Sequence, residues 1–387
     1  MTFIEEAQAK FAELITSELA RIATMKQAGE VKDFASMERI IVGVLPGDGI
    51  GPIIMAQALR VLAFLAQEEI AAGKLELRPV SGMTIEDRAR QGQSLPDDVL
   101  QQVKQCDVLL KGPMVTPRPG EEWPNMVSAN SLLRRSLDLF AAVRPVAIPE
   151  KNIDWTFFRE NIEGEYIWGN KGIQVTEDLA VDFKVQTTPG TERIARQAFE
   201  FARKNGKTNV TVITKSNIVK LADGNFLQGV REVGKREYPE IDVQDRLVDA
   251  MCARMADETF CKGLQVFVLP NLYGDIVTDI AAELQGGLGT AASANIGNRY
   301  AMFEAIHGTA PGLISEGRGE YADPCSLIRA VGMLLAHIGY GDKSRKLSQA
   351  LHRCTVSERK KVVTTWPQDA SAAEFTDYLL EVLADLN

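Results

Sequence analysis

Three arginines and one tyrosine first suggest chemistry. The block Phe158-Arg159-Glu160-Asn161-Ile162-Glu163-Gly164-Glu165-Tyr166 joins a guanidinium fork to a phenol seven residues later, with Arg134 and Arg144 upstream. Arginine grips carboxylates through paired N–H bonds, so the grouping fits an anionic substrate. Spacing alone equally fits three unrelated surface arginines. A second block runs from Leu269 to Asp279 as LPNLYGDIVTD. A helix beginning near Gly274 sets Asp275 and Asp279 on one face, where their carboxylates could share a hard divalent cation such as Mg²⁺. The alternative is a solvated helix start, where the dipole favours Asp. In Phe303-Glu304-Ala305-Ile306-His307-Gly308-Thr309-Ala310-Pro311 a histidine sits among small residues. Such a loop admits a flat ligand, although a satisfied structural histidine reads the same way. Lys215 and Lys220, in TKSNIVK, are either solvated amines or a catalytic acid and base.

These blocks need elements to hold them. Ile40 to Leu45 is a β-branched run, followed by Pro46-Gly47-Asp48-Gly49-Ile50-Gly51-Pro52 and a helical apolar pattern through Leu65. That is strand, glycine loop, helix, but GDGIG is not the GxGxxG dinucleotide fingerprint, and by itself it reads as a tight turn. Further strands at 107–110, 210–214 and 266–269, with a helix at 192–204, argue for α/β architecture. Residues 3–25 space Phe3, Ile4, Ala7, Phe11, Leu14, Ile15, Leu19 and Ile22 as an amphipathic helix. It should dock on its own domain or on a partner subunit, and 29–35 reads as a linker.

Composition narrows the function classes. At 387 residues, 45% apolar and 25% charged, the chain can bury a core of two domains or one large α/β unit. Its net charge of −9, without a dense Lys/Arg block, argues against nucleic acid. Five scattered cysteines without CxxC spacing fit a reducing compartment, and no apolar run reaches the roughly 20 residues of a membrane span. No membrane partner and a cytoplasmic location are the resulting expectations.

Together and in order, PGDGIGP, LKGP, LLRR with VRP, RENIEGEY, NIVK, PNLYGD with TD, and FEAIHGTAP resemble the β-decarboxylating hydroxyacid dehydrogenases, the family of isocitrate and 3-isopropylmalate dehydrogenases. The resemblance covers roughly residues 39–340 and, more weakly, the C-terminal helices. It implies an α/β, isopropylmalate dehydrogenase-like, non-Rossmann fold of two domains with a shared central sheet and the site between them. The large domain would span 39–139 plus 286–387 and the small, dimer-forming domain 140–285, preceded by a helical extension over 1–38. A homodimer or higher homo-oligomer would share its sites between subunits.

By the same resemblance, Arg134, Arg144 and Arg159 would hold substrate carboxylates. Asp275 and Asp279 would bind Mg²⁺ or Mn²⁺ with Asp249 of the other subunit, and Tyr166 with the partner's Lys220 would transfer protons. Neighbouring cations are expected to lower the Tyr166 phenol. Lys111, Thr116, His307, Gly308, Thr309, Ala310 and Asp323 would line the cofactor site. Ser128 and Asn130 follow the isocitrate pattern S-x-N-x-x-L-R, so isocitrate comes first, ahead of homoisocitrate, 3-isopropylmalate or another substituted malate. A non-catalytic regulatory subunit is the rival class, weakened because every metal and proton-transfer residue is present. After HGTAP stands Gly312-Leu313, where NAD-using relatives usually carry Asp-Ile and many NADP-using bacterial ones Lys-Tyr. Asp323 by the ribose favours NAD over NADP, while Arg318 pulls the other way.

Overall fold

The computed structural model describes residues 2–25, 31–118, 120–169 and 171–386. The chain forms two compact units: a flanking unit of residues 31–137 and 285–387, and an insert unit of residues 1–30 and 138–284. The first strands, β1 (Ile40–Leu45), β2 (Leu75–Pro79) and β3 (Val108–Lys111), belong to the flanking unit. The insert unit contributes β4 (Ala141–Ile148), β5 (Ile153–Glu160), the small ribbon of β6 (Ile173–Thr176) and β7 (Leu179–Val181), then β8 (Asn209–Thr214), β9 (Asp242–Leu247) and β10 (Val266–Leu269). Finally β11 (Ala292–Ile296) and β12 (Ala301–Ala305) return to the flanking unit.

Both units are α/β, with mixed sheets. In the flanking unit the order is β2-β1-β3-β12-β11, parallel except for the β12–β11 pair. In the insert unit it is β4-β5-β10-β8-β9, parallel except for β4–β5. Interior parallel strands are covered on both faces and therefore read as unbroken apolar runs. Accordingly β3, β8 and β10 are buried at every position. The Gly51–Leu65 helix starts with proline in its first turn and buries Ile54, Met55, Ala58, Val61, Leu62 and Leu65, the spacing of one helical face.

Register sets the functional side chains. Across β4–β5, Ala142 lies opposite Arg159 and Arg144 opposite Phe157, so Arg144 and Arg159 are diagonal neighbours on one face of the sheet. Beyond the end of β10, the Asn271–Gln285 helix begins three residues earlier than Gly274 and carries Asp275 and Asp279 one turn apart. Across β3–β12, Lys111 lies opposite Glu304.

The N-terminal helix, Phe3–Met25, packs within the insert unit, against β6 and the Thr188–Lys204 helix. Of the expected linker over 29–35, residues 29 and 30 lie outside the described residues, and the remainder is tied to the flanking unit. There Lys32 N donates to Asn298 O, and Asp33 caps a short 3₁₀ turn, Phe34–Ser36. All five cysteines are free, and among the described residues no helix is long and apolar enough to cross a membrane.

Candidate active site

In the insert unit, buried arginines of β4 and β5 hold half-exposed acids of the helix that follows β10. Arg159, 2% exposed, donates from Nε and Nη2 to Asn271 Oδ1 at 2.9 and 2.8 Å, and its third nitrogen pairs with Asp275. Arg144, 8% exposed, donates from Nη1 to Thr278 Oγ1 at 2.6 Å and to Asp279 Oδ1 at 3.2 Å. Its Nη2 lies 3.7 Å from Asp275 Oδ1. Gly274 makes this crossing possible, because a Cβ there would stand 2.4 Å from Arg159 Cγ. The Asp275 and Asp279 side chains remain 39% and 51% exposed.

Tyr166 completes the cluster by donating its hydroxyl to Asp275 Oδ2 at 3.1 Å. Burial and the Asp275 charge push the phenol up to about 12, against the pull of Arg159. That direction is opposite to the expected lowering: within this chain the group bonded to the phenol is a carboxylate. Burial also raises the Asp279 carboxyl; Arg144 opposes the shift and the like charge of Asp275 adds to it. A second positive charge would relieve that strain. Two solvent-facing carboxylates one turn apart, offering oxygen donors alone, fit a hard divalent cation.

Two expected members stand apart in this chain. Lys220 is exposed just before the Ala222–Glu237 helix, and among the described residues no hydrogen bond or ion pair joins it to Tyr166. Asp249, at the start of the Val248–Arg254 helix, is exposed, and its carboxyl is lowered by the Lys215 ammonium 2.7 Å away. Among the described residues, no group of three or more His, Cys, Asp or Glu forms a metal nest within the single chain.

The flanking unit holds the remaining candidates. The Ala129–Ser136 helix is capped by Ser128, whose Oγ accepts from Ser131 N, and it carries Asn130 and Arg134. Asn130 Oδ1 is buried without a hydrogen-bond partner. Arg134 Nη2 reaches Glu304 Oε1 at 3.1 Å, while Lys111 Nζ reaches Glu304 Oε2 at 2.8 Å and Gly112 O at 2.8 Å. Lys111, 1% exposed, is thus engaged inside the protein. The two cations, with Asn295 donating at 2.7 Å, hold the fully enclosed Glu304 carboxyl far below its usual range despite burial.

Thr116 is exposed. His307 places Nδ1 3.0 Å from Gly308 O and leaves Nε2 buried without a partner. Thr309 O accepts from Ile50 N, which ties the HGTAP loop to the glycine loop, and Ala310 takes a left-handed backbone as it starts the Pro311–Ser315 helix. An orphaned ring nitrogen beside Gly308, where a Cβ would meet nothing within 4 Å, fits a flat heterocyclic ligand. Asp323 bonds Cys325 N at 2.8 Å at the head of the Cys325–His337 helix, and burial raises its carboxyl.

Several working residues escaped the sequence reading. Asn271 and Thr278, which aim the arginines, lay inside quoted motifs without an assigned role. Glu304 was signalled by an acid within an apolar strand. Asp48, read as part of a turn, bonds Ile85 N at 2.7 Å, Val115 N at 2.8 Å and the wholly buried Arg88 at 2.8 Å.

Comparison with known proteins agrees with this geometry. Residues 41–378 match the model of the isocitrate/isopropylmalate dehydrogenase family. The chain is 37% identical over 320 residues to subunit 2 of the mitochondrial NAD isocitrate dehydrogenase of Schizosaccharomyces pombe, covering 80% of this chain and 79% of that one. It is 34% identical to the homoisocitrate dehydrogenase of Methanocaldococcus jannaschii, over 88% of this chain and 96% of the relative. The crystal structure of isocitrate dehydrogenase from Methylococcus capsulatus superposes with a TM-score of 0.77 at 34% identity, covering 89% of this chain and 99% of that one. The chain belongs to the isocitrate/isopropylmalate dehydrogenase family and is an NAD(P)-dependent β-decarboxylating dehydrogenase.

Proposed function

We propose that this enzyme oxidises and decarboxylates isocitrate to 2-oxoglutarate, with NAD as the preferred hydride acceptor and Mg²⁺ or Mn²⁺ as its metal. The observation carrying the substrate choice is the polar Ser128–Arg134 helix start, on which Asn130 and Arg134 lie one helical turn apart. The Asn130 amide N–H can donate to a third carboxylate, whereas an isopropyl group offers it no acceptor, which costs about 1–3 kcal/mol. Homoisocitrate is the second reading, favoured by the similarity to a homoisocitrate dehydrogenase. Turnover measured on isocitrate, homoisocitrate and 3-isopropylmalate tests the choice: the highest kcat/KM should fall on isocitrate, and a preference for 3-isopropylmalate rejects the polar pocket.

For the cofactor, Arg318 is already engaged. Its guanidinium pairs with Glu316, donates to Thr365 O at 2.6 Å and stacks 4.0 Å from the Trp366 ring. That removes the expected attraction for a 2′-phosphate, so turnover at equal concentrations should favour NAD over NADP.

In the reaction, Arg134, Arg144 and Arg159 bind substrate carboxylates and so orient the carbon that bears the reacting hydroxyl. Asp275 and Asp279, with Asp249 of a second copy, would hold the metal. A bound divalent ion would supply the positive charge that polarises a substrate oxygen. Lys220, exposed in this chain, would serve the site of a second copy and take the hydroxyl proton there. Tyr166 protonates carbon after CO₂ leaves. Its raised phenol keeps the donated proton in place, and a cation on Asp275 would withdraw the negative charge that holds the phenol high.

A further inference from the structure

The N-terminal helix lies ahead of the residues that match the family model, yet it bonds to the segment that carries Tyr166. Arg21 Nη2 donates to Glu163 Oε1 at 2.7 Å and Arg21 Nε to Glu18 Oε2 at 2.9 Å, while Glu18 Oε1 accepts from Trp168 Nε1 at 3.3 Å. Lys10 Nζ reaches Gly172 O at 2.9 Å, and Phe11 meets Phe183, whose ring also meets Trp168. The helix therefore clasps both sides of the turn in which Tyr166 sits.

Glu163 is built in with care. Its side chain is fully buried, accepts from Thr187 N at 2.9 Å, Thr187 Oγ1 and Gln186 Nε2 at 3.1 Å, and rests against Gly190, where a Cβ would stand 2.4 Å from Glu163 Oε1. Among the described residues, Arg21 is the one cation paired with it. Glu160, also fully buried, accepts from Ile162 N and Glu163 N. On its main-chain side, Glu163 O accepts from Asn271 Nδ2 at 2.9 Å, and Asn271 Oδ1 is the oxygen on which Arg159 is forked.

Resting on the reading of Tyr166 and Arg159 given above, we infer that the N-terminal helix is a buttress for the proton-donating turn and that Arg21 is its positioning residue. Arg21 balances the buried Glu163 carboxylate, and Glu163 in turn fixes the path from Asn161 to Trp168 and steadies Asn271 beneath Arg159. Without the guanidinium, the enclosed Glu163 carboxylate loses its bonded cation, and the turn must open to let water reach it. Arg144 and Arg159 ride on β4 and β5, whose ladder does not involve the helix, and Arg134 belongs to the flanking unit, so loosening should affect turnover more than binding.

The test uses the full-length chain with Arg21→Gln, Arg21→Lys and the double variant Arg21→Gln/Glu163→Gln. In Arg21→Gln, kcat on isocitrate with Mn²⁺ should fall at least about tenfold, as expected for a misplaced catalytic group, with KM changed less than about threefold. Lysine should restore part of the loss, and removing the Glu163 charge in the double variant should restore more than half of it on a logarithmic scale. Hydrogen exchange of amides 161–169 should accelerate in Arg21→Gln and slow again in the double variant. An unchanged kcat in Arg21→Gln, or a loss confined to thermal stability, overturns the inference. If the parent enzyme proves inactive on isocitrate, the substrate reading fails independently; exchange then decides, and unaltered protection of 161–169 in Arg21→Gln overturns the buttress.

Discussion

The two charged clusters are built with opposite polarity. In the insert unit, Arg144 and Arg159 are buried and their partners Asp275 and Asp279 face solvent; in the flanking unit, Glu304 is enclosed by Lys111 and Arg134. An acid held from behind by buried guanidinium can still accept a cation in front. Glu304 cannot, because both its oxygens are taken; its effect is to hold Arg134 in place. The same residue types thus leave carboxylate oxygens open to solvent in one unit and make a closed brace in the other, and accessibility of the carboxylate decides which.

Variants that separate turnover from stability would sharpen this contrast. The largest effect is expected from Tyr166→Phe, which should cost about 10²- to 10⁴-fold in turnover while metal and substrate binding persist; calorimetric titration beside steady-state kinetics checks both halves. Glu304→Gln, in the closed cluster, should instead destabilise the protein by about 3–5 kcal/mol in urea unfolding, because it leaves two enclosed cations unbalanced. If it proves neutral for stability, the brace is wrong.

The units should also answer pH in opposite ways. Burial, then the Glu163 charge, raises Glu160 in the insert unit to about 8, from an ordinary 4.5. Between those values the native state keeps a proton that the unfolded chain releases, so stability should fall as pH rises through this window, by at most about 1.4 kcal/mol per pH unit. Burial lowers His337 in the flanking unit to about 4, from 6.5. There the unfolded chain takes up a proton that the native state refuses, so stability should fall on acidification below 6.5. Urea midpoints at pH 5, 6.5 and 8 should lose the first slope in Glu160→Gln and the second in His337→Phe, which keeps the ring contacts with Phe34 and Phe303. The smallest stability change belongs to Asp279→Asn. Its carboxylate faces solvent and Arg144 keeps Asp275 and Thr278 as partners, so little stability should be lost, yet Mn²⁺ affinity should drop sharply.

Much of this was legible in the sequence, for reasons that differ by residue. Buried parallel strands announce themselves as apolar runs, so β8 and β10 were found almost to the residue. Arg159, Tyr166, Asp275 and Asp279 stood out because their spacing matches a chemical task. The pairing of Arg144 with Thr278, 134 residues away, depends on strand register and helix docking, which local spacing does not encode. The direction of the Tyr166 shift was misjudged for the same reason: only the fold reveals that a carboxylate accepts from the phenol. Arg21 carried no local signal at all, since its partner lies 142 residues downstream.

That separation has a consequence for synthesis. Lys10, Glu18 and Arg21 leave the ribosome long before Gly172, Trp168 and Glu163, their partners 142 to 162 residues later. The nascent chain must therefore carry its first helix undocked, with Leu14 and Phe11 uncovered, until most of the insert unit has been made. Contacts this distant in sequence form late and slowly. A segment translated well before its partners would be among the last to settle, and a chaperone acting on this protein would meet that exposed helix early.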